Sequence, residues 1–193
     1  DAFSVAALPT IAGVEESYLA IVPAKKFVEN LLADDTGRLR LHVFEENVRA
    51  FLGADNPVNS AIGETIRNEE SHSRFPVLNN GITIVSPDVR VQGMSITFVD
   101  FQIVNGCQTS NVLWINRDDL SDDMMVSLKV IETDNEDVFT DLVRATNSQT
   151  KIDDDQFLSL QPMARRIETY FNSFSDDENR LFFDRRDRQY VGQ

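Results

Sequence analysis

Apolar residues recur along this chain at two spacings, one typical of strands and one typical of helices. Runs rich in β-branched and aromatic residues predict strands at 18–22, 38–43, 82–85, 89–92, 95–104 and 125–131. Apolar positions three or four residues apart predict helices at 24–32, 44–52, 56–67, 107–115, 136–145 and 154–174. Strands that alternate with helices predict an α/β (or α+β) fold, with helices packed around a mixed sheet.

Local signals place several helix ends and one helix face. Asn56-Pro57 combines a capping side chain with proline at the first helical position. Thr133 and Glu136 have the spacing of a capping box, ahead of a helix that runs to about residue 145. In the helix at 107–115 we expect the apolar side chains to face inward, namely Val112, Leu113 and Ile115. We expect the irregular apolar stretch 1–13 to be a tail that packs on the body.

The chain turns from a strand directly into a helix at Asn105-Gly106. The first N–H groups of such a helix lack acceptors within the helix and lie at the positive end of its dipole, which suits a phosphate or carboxylate. Gly106 allows close approach of backbone and ligand, while Gln108 and Thr109 add polar groups at the rim. The motif alone also fits an ordinary turn with Thr109 as a helix cap.

Three uncharged polar clusters lie at predicted element boundaries, at 79–81, 102–110 and 147–150. Amides and hydroxyls suit a nucleotide or another ligand that is recognised by hydrogen bonds. We predict that these clusters converge, with arginines as counter-charge. The candidate ligand-binding residues are Arg49, Asn79, Asn80, Gly81, Gln102, Asn105, Gly106, Gln108, Thr109, Asn147, Gln149, Arg185 and Arg186. Taken singly, each cluster also fits ordinary turn chemistry.

Composition limits the class of protein. The net charge of −14 makes the chain as a whole a poor general nucleic-acid binder. The cluster of Arg185, Arg186 and Arg188 fits either a local basic surface or a salt-bridged, solvated face. One cysteine excludes an internal disulfide and predicts a reducing, cytoplasmic setting, while two histidines and one cysteine argue against a zinc site of the usual kind. No apolar run approaches the ~20 residues of a membrane span, so we expect no membrane partner.

Standard catalytic motifs are missing from the sequence, with one partial exception. There is no P-loop, G-x-G-x-x-G or H-E-x-x-H pattern. Asp88 and Asp100, on successive predicted strands, are candidate catalytic residues that could hold Mg²⁺ for phosphodiester hydrolysis. Gln102 stands where such a nuclease has lysine. The alternative is that Asp100 caps or orders a turn and holds no metal ion.

The chain resembles the AIPR (abortive infection phage resistance) family of bacteria. The resemblance covers roughly 44–174 and rests on F-E-E-N-V-R-A-F-L-G, V-N-S-A-I-G-E-T-I, L-N-N-G-I-T-I, Q-I-V-N-G-C-Q-T-S and R-A-T-N-S-Q-T-K, in the family's order. The later F-F-D-R-R-D-R-Q-Y is similar to the family's downstream arginine motif. The resemblance implies antiphage defence and one AIPR-like domain, a fragment of a longer protein. We divide it into a strand–helix portion (1–43), a motif-bearing core (44–150) and a helical portion (151–193).

A more distant resemblance links the chain to ParB/sulfiredoxin-like domains. V-N-G-C-Q-T-S stands where those domains carry D-G-x-x-R after an apolar strand, and A-T-N-S-Q-T stands where many carry N-x-x-Q. Asn105 replaces the acid, and Gln108 and Thr109 stand at or near the position of the arginine. The resemblance implies nucleotide binding without the acid and base that hydrolysis would use.

Three functions follow from the sequence. The first is an antiphage domain that binds a nucleotide or nucleic-acid phosphate at the Asn105-Gly106 turn. The second is an interaction module for a defence-system protein or a phage component, and the third is a Mg²⁺-dependent nuclease. The cofactor is thus a nucleotide, Mg²⁺ or neither. For the first function we expect Gly106→Val to abolish ligand binding while leaving the fold mostly intact.

Overall fold

The strands form one mixed sheet and a separate hairpin. The computed structural model describes residues 1–47, 51–54, 56–147, 162–174 and 183. Its strands are β1 (Ser4–Ala7), β2 (Glu16–Pro23), β3 (Ile82–Ser86), β4 (Asp88–Gln92), β5 (Ser95–Val99), β6 (Gln102–Asn105) and β7 (Met125–Glu132). The main sheet has the order β1-β2-β7-β3-β6, in which β3 and β7 are parallel and the other neighbours antiparallel. β4 and β5 pair separately.

Helices pack around the sheet and confirm the predicted α/β class. They are α1 (Ala24–Phe27, continued by a π-helical turn Val28–Leu32), α2 (Pro57–Arg67), α3 (Phe75–Leu78), α4 (Cys107–Ile115), α5 (Glu136–Asn147) and α6 (Pro162–Asn172). Single 3₁₀ segments lie at Leu41–Phe44, Glu69–Arg74 and Arg117–Asp119. The helices predicted at 24–32, 56–67 and 107–115 are confirmed. No described helix combines the length and apolar character needed to cross a membrane.

Both faces of the central strands are covered. On one face, Ile84 and Leu128 pack in a large core that includes Phe27, Phe75 and Leu113 from the helices. On the other face, the packing cluster comprises Val85, Val104 and Ile131 of the sheet and Val143 of α5. All five residues of β3 are therefore buried, as expected for a strand paired in parallel and covered on two sides.

The strand predicted at 95–104 is wrong in one respect, because two strands replace it. Asp100 has a φ of +49° and breaks the run, a conformation that Asp tolerates better than most residues. β5 before it pairs with β4, whereas β6 after it pairs with β3. The break thus moves the chain from the hairpin to the main sheet, and Asp100 lies at the bend between the two strands.

The segment 38–52 also differs from prediction. The strand predicted at 38–43 is instead a 3₁₀ helix at its end, Leu41–Phe44. Of the helix predicted at 44–52, residues 45–47 form a turn and an irregular position, 51–53 have no regular structure, and 48–50 lie outside the described residues. Side chains from β6 and its surroundings hold this backbone instead: Gln102 accepts a hydrogen bond from the Glu46 N–H at 3.2 Å. Long-range hydrogen bonds have overridden local helical spacing.

Three smaller expectations are corrected. Residues 4–7 of the expected tail form β1 on the edge of the sheet. Asn135, and not Thr133, caps α5, since its side-chain oxygen accepts from the N–H groups of Asp137 and Val138. Ile115 is 48% exposed, because it lies two residues beyond the buried Leu113 and so on a different face of α4.

On β2, Tyr18 donates its hydroxyl hydrogen to the Glu16 carboxylate. This bond and the negative charge of Glu16 raise the pKa of Tyr18 from 10.0 to about 12. The folded chain therefore holds this proton more tightly than the unfolded chain. The contribution to stability is complete below pH 10.0 and is lost as the pH rises through about 12.

We expect Glu16→Gln to move the Tyr18 pKa back towards its ordinary value. Tyrosinate absorbance titrations of this variant and of the parent measure the shift, and subtracting the Tyr18→Phe titration isolates Tyr18 from the other tyrosines. Identical curves for Glu16→Gln and the parent would contradict the role of Glu16.

Candidate ligand-binding site

The Asn105-Gly106 corner forms as the sequence predicted. β6 ends at Asn105, Gly106 has a φ of +91° and α4 begins at Cys107. A Cβ atom on Gly106 would lie 2.8 Å from Ile82 Cγ1 and 3.0 Å from Ile82 Cα. Glycine is required here because Ile82 of β3 approaches the backbone too closely for a side chain. The expectation that Gly106→Val leaves the fold mostly intact is therefore wrong.

The Asn79-Asn80-Gly81 turn lies beside this corner. Because β3 runs antiparallel to β6, its start adjoins the end of β6, and Thr83 pairs with Asn105. A Cβ on Gly106 would lie 3.1 Å from the Gly81 carbonyl oxygen. Gly81 itself has a φ of +77°, and a Cβ there would lie 2.8 Å from the carbonyl oxygen of Ser127. The two glycine turns are packed against each other through the sheet.

The end of α5 approaches the same corner. The Asn105 side-chain amide donates to the Thr146 carbonyl at 2.6 Å. Asn147 is the last residue of α5, but its side chain lies outside the described residues. The predicted site residues Arg49, Gln149, Arg185 and Arg186 also lie outside them.

These turns surround one cavity of about 600 Å³, within the range typical of small-molecule sites. Helix α2, the end of α3 and the β6–α4 corner contribute most of its wall. The lining residues are Asn47, Pro57, Val58, Ala61, Ile62, Thr65, Leu78, Asn79, Asn80, Gly81, Asn105, Gly106, Cys107, Gln108, Thr109 and Thr146. Seven of the predicted ligand-binding residues therefore lie together: Asn79, Asn80, Gly81, Asn105, Gly106, Gln108 and Thr109.

The described lining of this cavity combines apolar side chains, mostly from α2, with amides and hydroxyls, and it includes no Asp, Glu, Lys or Arg side chain. The first turn of α4 faces it, and within the described residues no side-chain hydrogen bond caps that end of the helix. N–H groups in a first turn have no acceptor within their own helix, and the dipole places roughly +0.5 charge there. The electrostatics suit a weakly anionic ligand.

The two glutamines of the prediction differ in role. Gln102 lies outside the cavity lining, and its side-chain amide donates to the His42 carbonyl at 3.1 Å. Gln108 lines the cavity, but its side-chain oxygen accepts from Leu52 N–H at 3.1 Å and from Asn59 Nδ2 at 2.9 Å. Gln102 thus binds the backbone at His42 and Glu46, and Gln108 binds Leu52 and Asn59.

The sequence prediction missed the wall that α2 provides. Val58 and Ile62 were assigned to a helix by their spacing, yet they line the cavity, and Val58 is 62% exposed. Asn47 was also missed; it is buried, and its side-chain amide donates to the Ile103 carbonyl at 3.2 Å. Apolar spacing on a helix reports which face is apolar, but a core and a cavity wall give the same pattern.

Asp88 and Asp100 lie away from this lining. Register places Asp88 opposite Val99, next to Asp100. Arg90 Nε donates to Asp88 at 3.1 Å, and this carboxylate raises the pKa of the guanidinium. No group of three or more potential metal ligands occurs among the residues that the structure describes. A magnesium site at this pair stays a prediction.

Comparison with known proteins identifies the family. No curated protein and no solved structure matches the chain. The family model described as AIPR protein matches residues 44–193. This span includes β3 to β7, both glycine turns and every described residue that lines the cavity. The chain therefore belongs to the AIPR family of bacterial abortive-infection (antiphage) proteins.

Proposed function

We propose that this antiphage domain binds a nucleotide or a nucleic-acid phosphate in the cavity at the Asn105-Gly106 corner. One observation carries the proposal: turns 79–81 and 105–109, singled out by their composition, line a single cavity of about 600 Å³. Ordinary turn chemistry explains each turn alone, but it does not require both to line one space of ligand size.

The residues have separate roles in this proposal. The first turn of α4 and the Thr109 hydroxyl receive the phosphate, because they combine a helix dipole with a hydrogen-bond donor. Asn79 and Asn80 bind the sugar or base from the opposite turn. Gln102 is not part of the site in this proposal, because its side-chain amide already binds the backbone of His42 and Glu46. Arg49, Arg185 and Arg186 remain candidates for counter-charge, as do Asn147 and Gln149 for the base.

One observation favours the interaction-module alternative. Three apolar side chains of α2 and α3 are exposed: Val58 at 62% and Leu78 at 61%, which line the cavity, and Val77 at 82%, which precedes Leu78 in the chain. Exposed apolar side chains that lie together often mark a protein contact. A partner that docks here would cover Val77 as well as Leu78, whereas a cavity ligand would contact Leu78 only.

The decisive experiment compares Leu78→Glu with Val77→Glu. Both positions lie on α3 and are exposed, but only Leu78 lines the cavity. A carboxylate at the cavity wall repels a phosphate, so we expect Leu78→Glu to weaken mononucleotide binding by about tenfold or more. Val77→Glu should bind as the parent does. Isothermal titration calorimetry with AMP, GMP, CMP and UMP, with and without Mg²⁺, measures these affinities.

Failure of the parent chain to bind all four nucleotides and a short single-stranded oligonucleotide would overturn the proposal. Equal loss of binding in both variants would place the nucleotide outside the cavity. A defence partner whose binding is lost in both variants, together with no nucleotide binding, would establish the interaction module instead.

A further inference from the structure

Two asparagines that line the cavity use the same end of the side chain to bind the protein. The side-chain nitrogen of Asn79 donates to the Phe75 carbonyl at 3.1 Å. The side-chain nitrogen of Asn105 donates to the Thr146 carbonyl at 2.6 Å. A main-chain carbonyl oxygen can only accept a hydrogen bond, so the end of each amide that faces it must be the NH₂ group.

The orientation of these two amides determines which atom each offers to a ligand. Nitrogen and oxygen branch from one carbon in a planar amide, so a nitrogen bound to the protein turns the oxygen away from that bond. Asn79 and Asn105 are both half-buried and both line the cavity. Each oxygen has two lone pairs and can accept from a ligand even where it also accepts from the protein. The asparagines therefore offer the ligand hydrogen-bond acceptors.

The same cavity offers apolar surface for the face of a ring. Pro57, Val58 and Ile62 of α2 line it, and Val58 is 62% exposed. A ring that buries one face on this surface gains free energy, but its polar edge then needs partners. A ring edge that meets carbonyl oxygens must carry N–H groups, because a ring oxygen or an unprotonated ring nitrogen would place one acceptor against another.

We propose that the site selects a base with an exocyclic amino group (adenine, guanine or cytosine), which the side-chain oxygens of Asn79 and Asn105 recognise. The inference rests on the proposed function and names the chemical class of its base, while the phosphate stays at the start of α4. Hypoxanthine and uracil have a carbonyl oxygen or a C–H group where these bases have the amino group. With such a base, an asparagine oxygen would lose its water without gaining a hydrogen bond.

Matched nucleotides isolate the amino group. IMP has oxygen in place of the amino group of AMP and hydrogen in place of the amino group of GMP, and UMP has oxygen in place of the amino group of CMP. Isothermal titration calorimetry of the parent chain with these five nucleotides measures the selection. We expect the tightest of AMP, GMP and CMP to bind about tenfold or more tightly than its counterpart without the amino group. This comparison needs no variant.

Two variants test the assignment to the asparagines, namely Asn79→Ala and Asn105→Ala. Both side chains also bind the protein, so a loss of affinity alone would not separate recognition from folding. The ratio of the affinities for the amino nucleotide and its counterpart does separate them. We expect each variant to lower this ratio by about threefold or more. Val77→Ala, at an exposed position of α3 that does not line the cavity, should leave the ratio unchanged.

The outcomes separate this inference from the proposed function. If neither the mononucleotides nor a short single-stranded oligonucleotide binds the parent chain, both fail. If the oligonucleotide binds and no mononucleotide does, the proposed function stands and the inference is overturned. The same holds if the amino nucleotides bind no more tightly than their counterparts. A preference that both alanine variants retain in full would also overturn the inference, because the asparagine oxygens would then not be its source.

Discussion

Gly106→Ala is expected to lower the free energy of unfolding by about 3 kcal/mol. The backbone at Gly106 has a φ of +91°, which costs a residue with a side chain about 1 kcal/mol. The new Cβ would also lie 2.8 Å from Ile82 Cγ1 and 3.0 Å from Ile82 Cα. Ile82 is in the core at 1% exposure, so relieving the overlap must move packed backbone, at a cost of about 1–3 kcal/mol. Denaturant unfolding followed by circular dichroism measures the loss.

Gly37→Ala is the matched control for this substitution. Gly37 has a φ of +76°, but a Cβ there meets nothing within 4 Å. Only the backbone cost remains, so we expect a loss of about 1 kcal/mol. Equal losses in the two variants would mean that the corner relaxes freely, and would contradict the crowding between Gly106 and β3.

His72→Ala is expected to cost about 3 kcal/mol of stability through a different mechanism. The imidazole is 1% exposed, its Nδ1 lies 2.6 Å from Ser121 Oγ, and its Nε2 donates to the Ile66 carbonyl. Nε2 must carry hydrogen, because a carbonyl oxygen can only accept. The ring joins the end of α2 to the loop before β7. Its removal leaves a buried carbonyl unpaired and opens a cavity.

His42→Ala is the control, because the chain has two histidines and His42 is exposed. The Gln102 amide binds the His42 main-chain carbonyl, which alanine retains, so we expect a change of at most about 0.5 kcal/mol. His72→Gln keeps a side-chain donor and should lose less than His72→Ala. Thermal and denaturant unfolding of the three variants test this order, and a fully stable His72→Ala would contradict it.

Predictions from the sequence were strongest where a few neighbouring residues decide the outcome. Asn56 and Pro57 predict the start of α2, and the Asn56 side chain accepts from Val58 N–H at 3.0 Å. The strand–glycine–helix corner at Gly106 formed because left-handed backbone is open to glycine and the flanking periodicity changes there. The division of Ser95–Val104 was harder to predict, because apolar residues on both sides of Asp100 fit a single strand. The positive φ of Asp100 divides this run into β5 and β6.

Convergence of the two glycine turns was predicted from composition alone, and the sheet provides its cause. β3 and β6 are antiparallel neighbours, so the residues before β3 meet the residues after β6. The family was likewise indicated by the motifs themselves, since the family model matches residues 44–193.

The local chemistry of each turn, the helix starts and the family membership were therefore determined by the sequence itself, because backbone preferences and motif order act over short stretches of chain. Tertiary structure decided which surface faces the turns. The apolar face of α2 lines the cavity at Val58 and Ile62, and the amide of Gln102 holds the 42–46 segment outside it. Those assignments depend on how strands and helices far apart in the chain pack together, and a periodic pattern gives the same signal for a core face and for the wall of a cavity.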